Sequence, residues 1–396
     1  MKKVFYSAWI LILLFLHHNS FGQYQAYVSP SNRILDISNT VVGSTAGNFA
    51  VNNFGEATYS IPIFCSPGTA GLVPDIRIDY NSNYPNGLLG IGWDIAGLST
   101  INRVPKNYYN DSAIDGVDLA STDRFALDSN RLILTNGTYG ANLSEYRTEL
   151  ETFAKITANG TAGTGPSWFK VETKDGRTIE YGNTSDSKVE AYGSSTVYQW
   201  RINKITDRFG NYMTFTYNEI NGESYISRID YTGNTPGWQP YNALKFIYAQ
   251  RTDKNFNYVG GKKVPSTVIL SEIRMETEGV LSHRYVFKYF KDFLDRSYLN
   301  EVIEYGSDGS RFNSTIFGWP ALNSTNFSWS EYSNGVQNIY HFGNFIKEGQ
   351  TSFIIVPRKT TYSPTDTWKL FSGQILIYQG QVGQGFMGIT VADTDG

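Results

Sequence analysis

Cysteine, histidine and basic excess are all scarce in this sequence, and each shortage closes off a class of function. Cys65 is the single cysteine in 396 residues, so no disulfide can form within the chain and no thiolate cluster can hold a metal. Histidine occurs four times. His17 and His18 fall in an apolar N-terminal segment, and His283 and His341 stand apart with no His or Cys at ligand spacing. Lys and Arg number 33 against 36 Asp and Glu, and they form no stripe that would neutralise phosphates, so nucleic-acid binding has no support. No Gly-x-Ser-x-Gly elbow occurs, since "GLSTI" ends in Ile101. Beyond the N-terminus no apolar run is long enough to span a bilayer, and no long stretch follows the 3.6-residue period of an amphipathic helix.

Aromatics and glycine are plentiful. Phe, Trp and Tyr make up 15% of the chain, and 38 residues are Gly. Aromatic and β-branched residues suit strands, and glycine suits the turns between them. In "TYSIPIF", Tyr59, Ile61 and Ile63 alternate with Ser60, Pro62 and Phe64; in "DIRIDY", Ile76, Ile78 and Tyr80 alternate with Arg77 and Asp79. Both predict strands with one buried face, joined hairpin-fashion by "SPGTAGLVP", and Pro62 marks its strand as an edge or a bulge. Further pairs follow around Asp-Ser-Asn, Lys-Asp-Gly and Phe-Gly-Asn turns. The expectation is an all-β chain of antiparallel, hairpin-rich sheets. A weak repeat links "ITDRFGNYMTFTYN" with "IEYGSDGSRFNSTIFGW", each read as strand, turn and returning strand.

The two ends carry their own signals. Lys2 and Lys3 precede an apolar run of thirteen positions, Val4 to Leu16, interrupted only by Ser7, and Ser20 and Gly22 supply small side chains before Gln23. This is the pattern of a secretory signal peptide over 1–22, too short for a membrane span of about 20 residues. No Cys follows the cut, so no lipid-anchored start is expected, and the mature chain is expected to be exported and soluble. Loss of Lys2 and Lys3 leaves 31 Lys and Arg against 36 Asp and Glu, a net charge of −5. Residues 23–53 are polar and turn-rich, an expected extended arm. A boundary is expected after Pro320, where the Asn/Ser-rich stretch 323–334 begins, giving domains 54–320 and 321–396. The chain stops at "ITVADTDG", before the strand that would return, so its last sheet is expected to be incomplete.

Candidate chemistry weighs lightly. Glu149/Glu151 and Glu276/Glu278 form Glu-x-Glu pairs, but no Ser-Thr-Ser strand precedes them, and alternating strand-like segments put carboxylates toward solvent. Gly383, Gly385 and Gly388 have dinucleotide-loop spacing between two strand-like segments, where a hairpin loop is the better reading. Asp111, Asp115 and Asp118 form one acidic loop, read as solvated in preference to calcium-binding. Trp168, Trp200 and Trp238 would stack on a sugar only if they lined a groove, and most aromatics of such a chain must be core. Cys65 is read as a small buried hydrophobe.

The words "FGEATYSIPIFCSPGTAGLVPDIRIDYNSNYPNGLLGIGWDIAGLSTINR", Phe54 to Arg103, resemble the N-terminal domain of the plasmid-virulence B (SpvB) family, shared with toxin-complex B subunits and Rhs-type secreted proteins. They combine an alternating strand, Pro-x-Gly-x-x-Gly-x-x-Pro, a Tyr-Asn-Ser strand end and Asn-Gly-x-Leu-Gly-x-Gly-Trp. A looser match continues through "EYRTELETFAKI", "FKVETKDGRTIEYG" and "DRFGNYMTFTYN", so the likeness covers about residues 40 to 320. From His341 the chain resembles the start of an FG-GAP-like β-propeller, whose loops bind calcium through successive acidic oxygens. In "GNFIKEGQTS", Asn344, Glu348 and Ser352 hold ligand positions but Ile346 offers no oxygen, which argues against calcium in this loop. Asp393 and Asp395 in "DTDG" are the candidate metal residues of the next loop.

The resemblance implies a structural role without catalysis or a cofactor, calcium being left to later propeller loops. It implies sheets of the SpvB/Rhs-shell type followed by an incomplete propeller, contributing to a β shell that encloses and delivers a toxic C-terminal polypeptide. The implied partners are proteins: a toxin-complex A component, and the chain's own C-terminal Rhs/toxin region or a C component. Any ADP-ribosyltransferase of the family would lie in a separate C-terminal domain. The alternative is a cell-surface adhesion or carbohydrate-binding propeller protein. The leader reading has a direct check: mass spectrometry of the exported protein should find Gln23 at its N-terminus, and retention of Lys2 and Lys3 would contradict it.

Overall fold

The computed structural model describes residues 40–319, apart from 236 and 293, and four later strands by their backbone. These residues belong to two units, divided between Leu322 and Asn323. The expected all-β class is what is found. The one α-helix among the described residues, α1 (Tyr108–Asp111), has four residues, and no helix there is long and apolar enough to cross a membrane. The predicted signal peptide, and Asp393 and Asp395, lie outside the described residues.

The first unit opens with β1 (Thr40–Ser44) and β2 (Asn48–Val51), both within the expected arm. β3 (Ala57–Pro62) and β4 (Arg77–Asn81) form the expected antiparallel pair. Two-residue strands β5 (Asn86–Gly87) and β6 (Gly90–Ile91) make a tight corner before β7 (Trp93–Ala96). The resulting small sheet has the order β2-β3-β4-β7. Its apolar face is two cross-strand rows, Ile61–Ile78–Ile95 and Tyr59–Tyr80–Trp93. β3 is therefore internal, which corrects the edge expectation drawn from Pro62. The proline is tolerated because β2 has already ended: its last pair is Asn48 with Ser60, so no neighbour awaits the missing N–H.

The next strands close on themselves. They are β8 (Thr100–Val104), β9 (Arg124–Leu127), β10 (Asn130–Asn136), β11 (Glu145–Thr148), β12 (Lys155–Asn159), β13 (Trp168–Glu172), β14 (Thr178–Tyr181), β15 (Lys188–Glu190) and β16 (Val197–Thr206). Antiparallel pairing runs from β8 through β9 to β14, passes to β16 and returns to β8, an eight-stranded barrel. The β9–β10 turn places Asp128 and Ser129 at φ +46° and +67°, the two left-handed residues of a type I′ hairpin. An eight-stranded barrel is just wide enough for side chains to fill it. Here Phe125, Tyr146, Ile156, Phe169 and Trp200 do so, and the rings of Phe125, Phe169 and Trp200 meet edge to face at 5.0–5.4 Å.

β16 also starts a broad sheet. β17 (Asn211–Ile220), β18 (Glu223–Asn234), β19 (Asn242–Val259), β20 (Lys262–Thr277), β21 (Val280–Lys291) and β22 (Ser297–Gly306) follow as successive antiparallel neighbours. Short β23 (Arg311–Asn313) and β24 (Thr315–Ile316) pair back onto β22, so both halves of the weak repeat are hairpins. β1 lies parallel beside β23, so this part of the arm is built into the sheet. The second unit, taken by itself, is an antiparallel meander of β25 (Gln337–Gly343), β26 (Ser352–Arg358), β27 (Thr367–Ser372) and β28 (Ile375–Gln381).

Because Trp200 is wholly buried where the barrel rings converge, Trp200→Ala should destabilise the first unit by about 3–5 kcal/mol. Chemical denaturation followed by tyrosine fluorescence would measure this, and a loss below about 1 kcal/mol would contradict a filled barrel.

Candidate functional site

The motif-rich segment 54–103 works as a seam that fastens the small sheet to the broad one. Two loops act as clips. In the first, the Phe64 amide donates to the Tyr285 hydroxyl at 3.2 Å, the Tyr231 hydroxyl donates to the Ser66 carbonyl at 2.8 Å, and Asn242 Nδ2 donates to the Pro67 carbonyl at 3.2 Å. Cys65 packs half-buried between these contacts, and burial, with the nearby Asp75 charge, pushes its thiol up to about 12. That environment keeps it protonated and unreactive.

The second clip is the Asn86–Gly90 corner. Arg251 and Asp253 sit two residues apart on β19, paired Nε to Oδ1 at 3.0 Å, with side chains 0% and 7% exposed. Arg251 donates to Asn86 Oδ1, to the Gly87 carbonyl at 3.1 Å and to Ser266 Oγ at 3.1 Å. Asp253 accepts from Asn86 Nδ2 and from both the amide and hydroxyl of Ser297, each at 2.9 Å. Burial alone would raise the Asp253 carboxyl; the hydrogen bonds from Arg251, Asn86 and Ser297 outweigh it and hold the group well below the usual carboxylate range. The corner also needs its glycines. Gly90 has φ +89°, and a Cβ there would lie 2.5 Å from the Ser297 carbonyl oxygen.

Aromatic packing completes the seam. Trp93 lies 4.7 Å from the ring of Phe317, Tyr80 lies 5.5 Å from Trp319, and Trp319 Nε1 donates to the Leu299 carbonyl at 2.7 Å. The sheet overhangs this cover at its β2 edge, leaving Phe49, Val51 and nearby Phe54 exposed.

One mouth of the barrel is sealed by a charge. Arg103 and Asp123 pair at 3.0 Å with side chains 1% exposed. The guanidinium also donates to the carbonyls of Val197 and Ala120, both at 2.7 Å, and lies 5.8 Å from the Phe125 and Trp200 rings. Neither buried Arg–Asp pair was singled out from the sequence. The available signal was a charge on the apolar face of an alternating strand: Arg103 follows Ile101 at period 2.

The sequence-derived candidates are dispersed. Glu149 and Glu151 lie in the connection after β11, not on a strand; Glu149 accepts from Asn110 and Glu151 from the Phe153 amide. Glu276 on β20 pairs with Lys245 at 2.6 Å, while Glu278 occupies the following turn at φ +52°. His283 stacks on Phe64 at 3.9 Å. Asp111 pairs with Arg124 and Arg131, Asp115 with Lys106, and Asp118 caps the Ala120 amide. Among the described residues no three His, Cys, Asp or Glu gather as a metal site. Trp200 is core, Trp168 half-buried and Trp238 exposed, so the three line no common groove. Residues 344–350, with Asn344, Ile346 and Glu348, and the Gly383–Gly388 loop lie outside the described residues, as do the side chains of His341 and Ser352.

A family model described as the Salmonella virulence plasmid 65kDa B protein matches residues 51–301. No curated protein matches the chain. Among solved structures, the crystal structure of TcdB2-TccC3 is similar at TM-score 0.61 and 16% identity, covering 84% of this chain and 20% of that one. The Photorhabdus luminescens Tc holotoxin pore is similar at TM-score 0.57 and 14% identity, covering 85% and 20%. The N-terminal domain of effector protein SpvB from Salmonella typhimurium strain LT2 is similar at TM-score 0.50 and 17% identity, covering 62% of this chain and 99% of that one. At such identities the likeness is one of fold. The chain spans about a fifth of the length of the TcdB2-TccC3 and holotoxin chains.

The second clip makes a pH-dependent prediction. Asp253→Asn should cost about 3 kcal/mol at pH 7, since it leaves Arg251 buried against a neutral partner. A depressed folded pKa stabilises above the ordinary carboxylate value of about 3.9 and loses that contribution as pH falls toward the folded value. The gap between wild type and variant in urea midpoint should therefore narrow below about pH 4; a gap that is constant with pH would contradict the assignment.

Proposed function

The chain belongs to the family of the Salmonella virulence plasmid 65kDa B protein, and from that premise we propose that it is a non-catalytic assembly module of a secreted, toxin-complex-type protein. In this reading residues 40–319 form part of a β shell that encloses a toxic C-terminal polypeptide until delivery. One observation carries it: an eight-stranded barrel, filled by its own aromatic side chains, runs without interruption into a broad antiparallel sheet. Such a body is a wall, with its interior spent on packing. The fold likeness to TcdB2-TccC3 and to the Tc holotoxin pore supports the same role.

The partners follow from that role. They are the protein's own Rhs/toxin region or a C component inside the shell, and a membrane-perforating A component outside it. The exposed Phe49 and Val51 of β2, which is paired on one side only among the described residues, and Phe54 just beyond its end suit a module that has protein neighbours. The four-stranded meander β25–β28 has the form of a propeller blade, which supports reading the second unit as the start of an FG-GAP-like propeller. Calcium would then belong to the loops of later blades. The half-buried Cys65, held protonated, suits a packing role in this reading.

Limited proteolysis tests the reading. When the full-length protein is co-expressed with a C-component polypeptide, the C component should co-purify and resist protease until the shell is unfolded. A C component that is digested at the rate of the free polypeptide, or that does not associate, would contradict the shell.

A further inference from the structure

Where the barrel meets the broad sheet, the surface holds a recess of about 300 Å³. It lies across β14, β16 and β17, on the cross-strand row Glu180–Lys204–Thr214, and is walled by the connection between β14 and β15. We propose that this recess binds a neutral polyhydroxylated ligand of about one ring, a sugar residue. Its volume is at the low end for small-molecule sites, about 300–1,000 Å³.

The site is organised from beneath. Asn203, 4% exposed, accepts from the Asn183 amide at 2.9 Å and turns its Nδ2 toward Glu180 Oε2 at 3.5 Å. Asn183 Nδ2 donates to the same Glu180 oxygen at 2.7 Å. Asp186, which also lines the recess, accepts at Oδ2 from the Tyr217 amide at 2.8 Å. Each carboxylate thus spends one oxygen on the protein and keeps one for a ligand. Lys204 forms no ion pair among the described residues, and its ammonium lies 5.1 Å from the Tyr212 ring.

These valences select the ligand class. A guanidinium binds best to a carboxylate with both oxygens available, and here neither has both. Lys204 also repels any cation. An anion meets two carboxylates against one lysine. Calcium takes six to eight oxygens, and the recess has two acids with a lysine as the cross-strand neighbour of one of them. A hydroxyl both donates and accepts, so a vicinal pair can donate to a carboxylate oxygen and accept from Lys204 or an Asn amide. This assignment does not rest on the shell reading, since it uses the recess alone.

The test is saturation-transfer NMR on the full chain with glucose, galactose, mannose and N-acetylglucosamine, and with methylguanidinium as the competing probe. At least one sugar should bind saturably near millimolar concentration. Glu180→Gln and Lys204→Met should each weaken it about tenfold or more, with thermal unfolding unchanged. Phe256→Ala, at the exposed β19–β20 tip, should leave it unaltered. Should Glu180→Gln fail to fold, Lys204→Met decides alone. No saturable sugar binding, sugar binding indifferent to the recess variants, or binding of methylguanidinium in place of sugars would each overturn the proposal.

Discussion

Everything in the first unit depends on one strand being paired along both edges by four others. β14 and β15 run in succession along one edge of β16; β8 and β17 share the other. Through β14 and β8 the strand closes the barrel, and through β17 it begins the broad sheet. Barrel and sheet therefore cannot be drawn apart without breaking the ladder of β16 itself. Bulges at the pairings with β14 and β15 give β16 the local twist that lets one strand serve two curvatures.

The family motif then has a mechanical meaning. Its two loops are clips, and its glycines are places where one backbone presses on another. At Gly90 the neighbour is Ser297, and at Gly97, with φ +96°, an added Cβ would stand 1.9 Å from the Asp75 carbonyl oxygen. These motif glycines serve close backbone packing, Gly90 between the two sheets and Gly97 within the small one. No substrate need be invoked for them. The energy of the seam is divided among Arg251–Asp253, the aromatic contacts around Trp93, and the Tyr231 and Tyr285 hydroxyls on the loop backbone, so no single contact holds it alone.

Much of this was legible in the sequence because period-2 alternation reports faces. Tyr59, Ile61, Ile76 and Ile78 fall on the face the pattern assigned them, and the Asp-Ser-Asn turn adopts the hairpin its residues favour. Faces do not name partners, however. The pairing of β16 with β8 joins residues about 100 positions apart, and nothing local to either strand announces it. The parallel contact of β1 with β23 is hidden for the same reason. Charge misleads in a related way. Arg103 and Arg251 are buried, Arg103 on the apolar face of its strand, because an Asp and further oxygen acceptors wait for each in the folded chain. The Glu149/Glu151 pair shows the converse: an alternating word that leaves its strand after Thr148. Of the predicted site residues, Asp393 and Asp395 lie beyond the described part of the chain. The polar recess at Glu180 was invisible because its residues come together only when β14, β16 and β17 do.

The proposed wall has a consistent physical logic: side chains fill the barrel, the sheet extends it, and on this reading the chemistry would belong to whatever it surrounds. A cryo-electron microscopy reconstruction of the full-length protein co-expressed with a C-component polypeptide tests this most directly. The account predicts that residues 40–319 form a continuous part of a closed shell, with non-native polypeptide density on its inner side. The same residues standing apart as a free domain, with an open cleft occupied by a substrate, would contradict it.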